Sequence, residues 1–144
     1  MVIGIFGENC SGKSTLAERI KETIGGTIVS GKDYLRMAKS PSEAETLFRA
    51  RLKAAVDGEN VIYVISEKAH LKLLPDGAVR ILVKADLDTI KSRFRARMRG
   101  VLPPPVEQML ERNHGMFDAE PHDFLYEGKT DPAEITDAIL RGKE

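Results

Sequence analysis

Two hydrophobic rhythms alternate along this chain. Short apolar runs occur at Val2-Ile3-Gly4-Ile5-Phe6, Thr27-Ile28-Val29, Asn60-Val61-Ile62-Tyr63-Val64-Ile65, Ala78–Val83 and Phe124-Leu125-Tyr126. Such runs read as strands of a parallel sheet, which helices bury on both faces. Between them, apolar residues recur at three- and four-residue spacing, the signature of one helix face. The clearest faces are Leu16, Ile20 and Ile24 with Ala17 beside them, then Leu87, Ile90, Phe94 and Met98, and finally Ile135 and Ile139. The alternation predicts an α/β fold, doubly wound in three α/β/α layers around a five-stranded parallel sheet.

Capping and breaking residues set the boundaries. Gly25-Gly26 stops the first helix, and Ser40-Pro41-Ser42-Glu43 has the Ser, Pro and Glu of a capping box. The helix it starts is expected to run to about Asp57. Its apolar stripe (Ala44, Leu47, Ala50 or Arg51, Ala54) is thin, which places it over the domain edge. A short helix is expected over Lys68 to Leu74, then a turn at Pro75-Asp76-Gly77. Asp86 caps the next helix. Gly100-Val101-Leu102-Pro103-Pro104-Pro105 reads as stiff and extended rather than helical. Val106, Met109, Leu110, Asn113 and Met116-Phe117 then predict another helix, and the stretch of about 99–116 sits where a closing lid would.

At 144 residues the chain is expected to be one domain, 1–144. Lys plus Arg and Asp plus Glu number 22 each, so no net field favours nucleic acid or an anionic membrane. Any anion site must come from local placement of charge. The single Cys10 excludes an intrachain disulfide. No run approaches the ~18 apolar residues of a membrane span, and a cytoplasmic location is expected.

The decisive stretch is Gly7-Glu8-Asn9-Cys10-Ser11-Gly12-Lys13-Ser14, which matches G-x-x-x-x-G-K-[ST] between a strand and a helix. Gly7 and Gly12 can take positive φ and carry no Cβ, letting the backbone curl closely around a phosphate. The amides through Asn9, Cys10, Ser11 and Gly12 would then form an anion nest at the positive end of the helix. Lys13 would reach the β- and γ-phosphates, and Ser14 would place its hydroxyl on Mg²⁺ with Thr15 next to it.

Further candidates follow in order. Asp33 and Arg36 lie after the second strand, at the carboxyl end of the sheet where open α/β folds bind ligands. There Asp33 suits metal-bound water or proton acceptance, and Arg36 suits an anionic acceptor. Glu67, after the third strand, is either a magnesium-side carboxylate or a helix cap. Arg93 and Arg97 share one helix face, Arg95 and Arg99 another. Four arginines exceed what a helix dipole needs, so at least one is expected on nucleotide phosphate. Arg112 is a candidate lid arginine. His114 and His122 receive no role.

With these pieces placed, the chain resembles the small P-loop kinases of nucleoside monophosphates and similar metabolites, adenylate kinase above all. Ser30-Gly31-Lys32-Asp33-Tyr34-Leu35-Arg36 looks like that family's Ser-Thr-Gly-Asp-x-Leu-Arg. The resemblance implies ATP and Mg²⁺ as cofactors, Arg93 against the adenine, Arg97 on phosphates, and Gly128-Lys129-Thr130-Asp131-Pro132 as the adenine-side loop. Ser66-Glu67-Lys68-Ala69-His70 stands where the family has Asp-Gly-Phe-Pro-Arg, and Gly31 replaces its acceptor-site threonine. Shikimate and gluconate kinases share the architecture, so a nucleoside monophosphate and a small hydroxylated metabolite both stay open as acceptor. The expected activity is γ-phosphoryl transfer from ATP by a monomer or small homo-oligomer; a non-catalytic nucleotide-binding module is the alternative. A transporter ATPase would need Leu-Ser-Gly-Gly-Gln and a GTPase Asn-Lys-x-Asp, and neither occurs.

Overall fold

A computed structural model describes residues 1–142; the last two positions of the expected domain lie outside the described residues. Five strands, β1 (Val2–Phe6), β2 (Thr27–Ser30), β3 (Val61–Ile65), β4 (Val79–Val83) and β5 (Phe124–Tyr126), pair in parallel in the order β2-β3-β1-β4-β5. Their helices are α1 (Lys13–Ile24), α2 (Pro41–Ala55), α3 (Leu87–Arg97), α4 (Pro104–Asn113) and α5 (Pro132–Gly142). Two short 3₁₀ segments, Asp33–Met37 and Lys68–Leu73, follow β2 and β3.

The strand period of two divides the core between two layers. From β1, Val2 and Phe6 point toward α2, while Ile3 and Ile5 point toward α1 and α5. β3 repeats the split, with Val61, Tyr63 and Ile65 on one side and Ile62 and Val64 on the other. Every residue of β1 and β3 is buried. The edge strand β5 has three residues and none buried. Both predicted caps form: the Ser40 hydroxyl accepts from the Glu43 amide at 3.4 Å, and Asp86 accepts from the Thr89 amide at 2.8 Å.

Four local expectations are corrected. The inner face of α2 is Ala44, Phe48, Leu52 and Ala55, not the Leu47 stripe, and the helix ends at Ala55 rather than Asp57. Leu47 is about half exposed, whereas Phe48 stacks on Tyr34 and meets Tyr63 edge-on. The helix therefore covers the core of one layer, and truncating Phe48 would cost about 3–5 kcal/mol. Pro104 and Pro105 lie inside α4, because first-turn residues need no amide partner and proline's fixed φ suits them. That helix stops at Asn113, so Met116 and Phe117 follow it; Phe117 is buried against Phe6, ring centroids 5.8 Å apart. Arg99 and Gly100 take left-handed φ of 60° and 91°, reversing the chain so that α4 packs back on α3. There Lys91 Nζ reaches Glu107 at 3.2 Å and Glu111 at 2.7 Å.

Candidate active site at the phosphate-binding loop

The loop between β1 and α1 leaves the middle of the sheet, next to the β3 and β4 carboxyl ends. Left-handed backbone occurs at Cys10 (φ 63°) and Gly12 (φ 111°), not at Gly7. Gly7 is needed for closeness instead, since a Cβ there would stand 2.3 Å from the Val83 carbonyl oxygen. The amides of Gly12, Lys13, Ser14 and Thr15 find no acceptor among the described residues. Four free donors at a helix start are an anion site by construction. The buried Ser11 hydroxyl also lacks a partner among the described residues.

Lys13 is buried, and its Nζ donates to the Gly7 carbonyl at 2.9 Å and the Glu8 carbonyl at 2.6 Å. Burial pulls its pKa down to about 8; the Arg97 charge pushes the same way, while Cys10 and Glu8 oppose. Two further contacts brace the loop from outside. Arg93 donates to the Cys10 carbonyl at 3.0 Å, at the left-handed residue itself. The Glu8 carboxylate faces the His114 Nδ1 at 3.0 Å and accepts from the Gly115 amide at 3.1 Å.

Three connected clefts surround the loop. A phosphate cleft of about 290 Å³ is lined by Asn9, Cys10, Lys13, Ser14, Ser66 and Arg97, among others. A neighbouring cleft of about 460 Å³ takes in Ser11, Arg93, Arg97, Tyr126 and Gly128. It shares Cys10, Gly12, Thr15 and Arg97 with the phosphate cleft. A third, of about 400 Å³, runs from Arg93 to Asp86, Thr89, His114 and Lys129.

Of the residues singled out from the sequence, Asn9 through Thr15, Arg93, Arg97 and Lys129 line this track. The acceptor-side candidates stand outside it. Asp33 is exposed and its Oδ2 accepts from the Ser30 amide at 3.1 Å, so it braces a residue of the cleft without lining it. Arg36 and Arg112 are exposed and line none of the three clefts. Glu67 occupies the N-cap position of the 3₁₀ segment without a side-chain cap bond; its carboxylate lies 3.9 Å from both Lys32 and His70. Glu8 and His114 were missed, because the motif sets no residue type at the second loop position.

No protein-family model and no curated protein matches the chain. Solved structures do. An uncharacterized protein from Eubacterium ventriosum superposes with a TM-score of 0.66 at 19% identity, over 99% of this chain and 97% of the other. A gluconokinase from Sinorhizobium meliloti gives 0.59 at 17% identity, over 98% of this chain and 90% of its own. Shikimate kinase from Aquifex aeolicus gives 0.54 at 16% identity, over 99% and 96%. The chain has the fold of the small P-loop kinases. In that fold the loop, the amino end of α1 and the carboxyl ends of the strands face one crevice, where the three clefts lie. No helix among the described residues is long and apolar enough to cross a membrane.

Proposed function

We propose that the protein is a kinase that transfers the γ-phosphoryl group of ATP to a nucleoside monophosphate or a small hydroxylated metabolite. The observation that supports this best is the set of unpaired amides at Gly12, Lys13, Ser14 and Thr15, beside the Lys13 ammonium and Arg97. A triphosphate satisfies all of them at once, and the orphaned Ser11 hydroxyl adds a donor the loop does not use. The shared walls of the first two clefts suit a ligand that runs from phosphate to nucleoside, with Arg93, Tyr126 and Lys129 on the nucleoside side.

Mg²⁺ fits the Ser14 hydroxyl, which lines the phosphate cleft, and would neutralise charge on the β- and γ-phosphate oxygens. The protein's part is then positioning and electrostatics, because the transferred group reacts through a loose transition state. Lys13 binds its oxygens after leaving the Gly7 and Glu8 carbonyls. Arg97, which lines the same cleft, supports them. Arg112 joins only when the segment 99–116 closes over the cleft. Asp33 stands beside Ser30, a residue of the phosphate cleft, and would orient water there; Arg36 would take part only with an anionic acceptor such as a nucleoside monophosphate. The enzyme works in the cytoplasm, as a monomer or small homo-oligomer, on small molecules alone. The test is incubation with Mg-ATP and pools of nucleoside monophosphates, nucleosides, sugar acids and polyols, with mass-spectrometric search for a phosphorylated product. Tight ATP binding with no transfer in any pool would instead favour a nucleotide-binding module without catalysis.

A further inference from the structure

A fourth cavity, of about 240 Å³, lies between the phosphate-binding loop, the turn after β3 and the end of α4. It opens onto the phosphate cleft through Asn9 and Ser66, which line both. It shares no lining residue with the two nucleoside-side clefts. The four spaces therefore form one track with this cavity at its far end. In phosphoryl transfer the attacking and leaving oxygens lie roughly in line across the phosphorus. A molecule at the far end is the one placed to attack.

The walls say what kind of molecule fits. Met109, Leu110 and Met116 supply an apolar side, and Asn9, Asn113 and Ser66 supply neutral hydrogen-bonding groups. Two carboxylates, Glu8 and Glu67, also line it. Lys68 is its one lining cation, and its Nζ is engaged by Glu120 at 3.3 Å. Glu8 is engaged by His114 and the Gly115 amide, and Glu67 faces Lys32 and His70 at 3.9 Å, so a phosphate or carboxylate here would find no free positive group on the cavity wall. The volume lies below the ~300 Å³ at which pockets for drug-sized ligands begin, so the occupant is small.

We propose that this cavity holds the phosphoryl acceptor, and that the acceptor is a small uncharged molecule with a hydroxyl group and an apolar face. The proposal rests on the kinase reading above and narrows it. The acceptor's hydroxyl oxygen bonds to the γ-phosphorus as the bond from that phosphorus to the bridging oxygen breaks. ADP leaves with the electron pair, and the hydroxyl proton passes to the Glu67 carboxylate at the cavity's edge.

The experiment offers Mg-ATP and matched pairs differing in charge: nucleosides against their monophosphates, and polyols against the corresponding sugar acids. ADP and phosphorylated product are expected from uncharged members. Product from the anionic members alone overturns the acceptor class and leaves the kinase reading intact. No product from any member, with ATP bound, overturns both. Asn113→Leu, at an exposed helix end where folding is safe, then separates the site from its chemistry. It should raise KM for the acceptor roughly tenfold and leave KM for ATP unchanged. An unchanged acceptor KM removes the cavity from the reaction.

Discussion

Glu8 and His114 meet at 3.0 Å although 106 residues separate them in the chain, and the second Glu8 oxygen accepts from the Gly115 amide at 3.1 Å. The phosphate-binding loop is thus tied through its own side chain to the turn that follows α4. Hydrogen bonds to a carboxylate contribute more than neutral ones, so Glu8→Ala should lower stability by about 2 kcal/mol. Urea unfolding gives the magnitude, and faster hydrogen exchange at the Gly115 amide gives the location. If neither changes, the tie contributes nothing to the fold.

The two motif glycines should fail differently. Gly7→Ala puts a methyl 2.3 Å from a backbone oxygen that cannot rotate away, which should cost about 3 kcal/mol or prevent folding. Gly12→Ala meets nothing closer than the Arg93 guanidinium at 3.7 Å, and the cost is the φ of 111°, about 1–3 kcal/mol. Thermal melting ranks the two. Gly12→Ala proving the more damaging would contradict the packing argument.

The position of Lys13 predicts a pH dependence with a definite sign. Its pKa is about 8 in the folded protein, against 10.5 for an ordinary lysine. Below pH 8 both folded and unfolded chains carry the charge and the burial penalty is fully present. Between about 8 and 10.5 the unfolded chain binds more protons, so this group makes stability rise with pH. Nucleotide affinity should move oppositely, because a triphosphate needs the ammonium form. Calorimetry at pH 9 in two buffers of different ionisation enthalpy should show proton uptake on binding Mg-ATP. Binding without uptake would take Lys13 off the triphosphate.

Arg97 lines two clefts, is exposed, and makes no hydrogen bond or ion pair among the described residues. On the proposed function, a residue so placed serves the ligand and not the fold. Arg97→Ala should leave the melting temperature unchanged and reduce turnover about 10²–10³-fold, the usual loss for one preorganised donor. Lys13→Ala should lose at least as much. Near-normal turnover in either variant excludes that residue from the mechanism.

Strands and phosphate loop were legible in the sequence because each follows from a short-range rule: an unbroken apolar run, or a glycine pattern before a helix. The inner face of α2 was not. Leu47 is as apolar as Leu52, and only the sheet beneath decides that Phe48 and Leu52 face it while Leu47 faces out. Proline at 104 and 105 was read as a breaker because its effect reverses within the first helical turn, and the start of α4 carries no polar cap to reveal where that turn is. The cavity proposed for the acceptor was least legible. Asn113 and Met116 reach their cavity only because the chain reverses at Arg99 and Gly100, a tertiary event with no local signature.

The short β5 makes the two ends of the crevice unequal. The turn proposed to receive phosphate is anchored in wholly buried strands, while the loop proposed to meet the base, Glu127 to Asp131, hangs from three residues at the sheet's rim, with Leu125 46% exposed. Thermal loosening should therefore begin at the base end. On the proposed function, substitutions near Tyr126 and Lys129 would change base preference at little structural risk, whereas the turn between β1 and α1 would tolerate almost none.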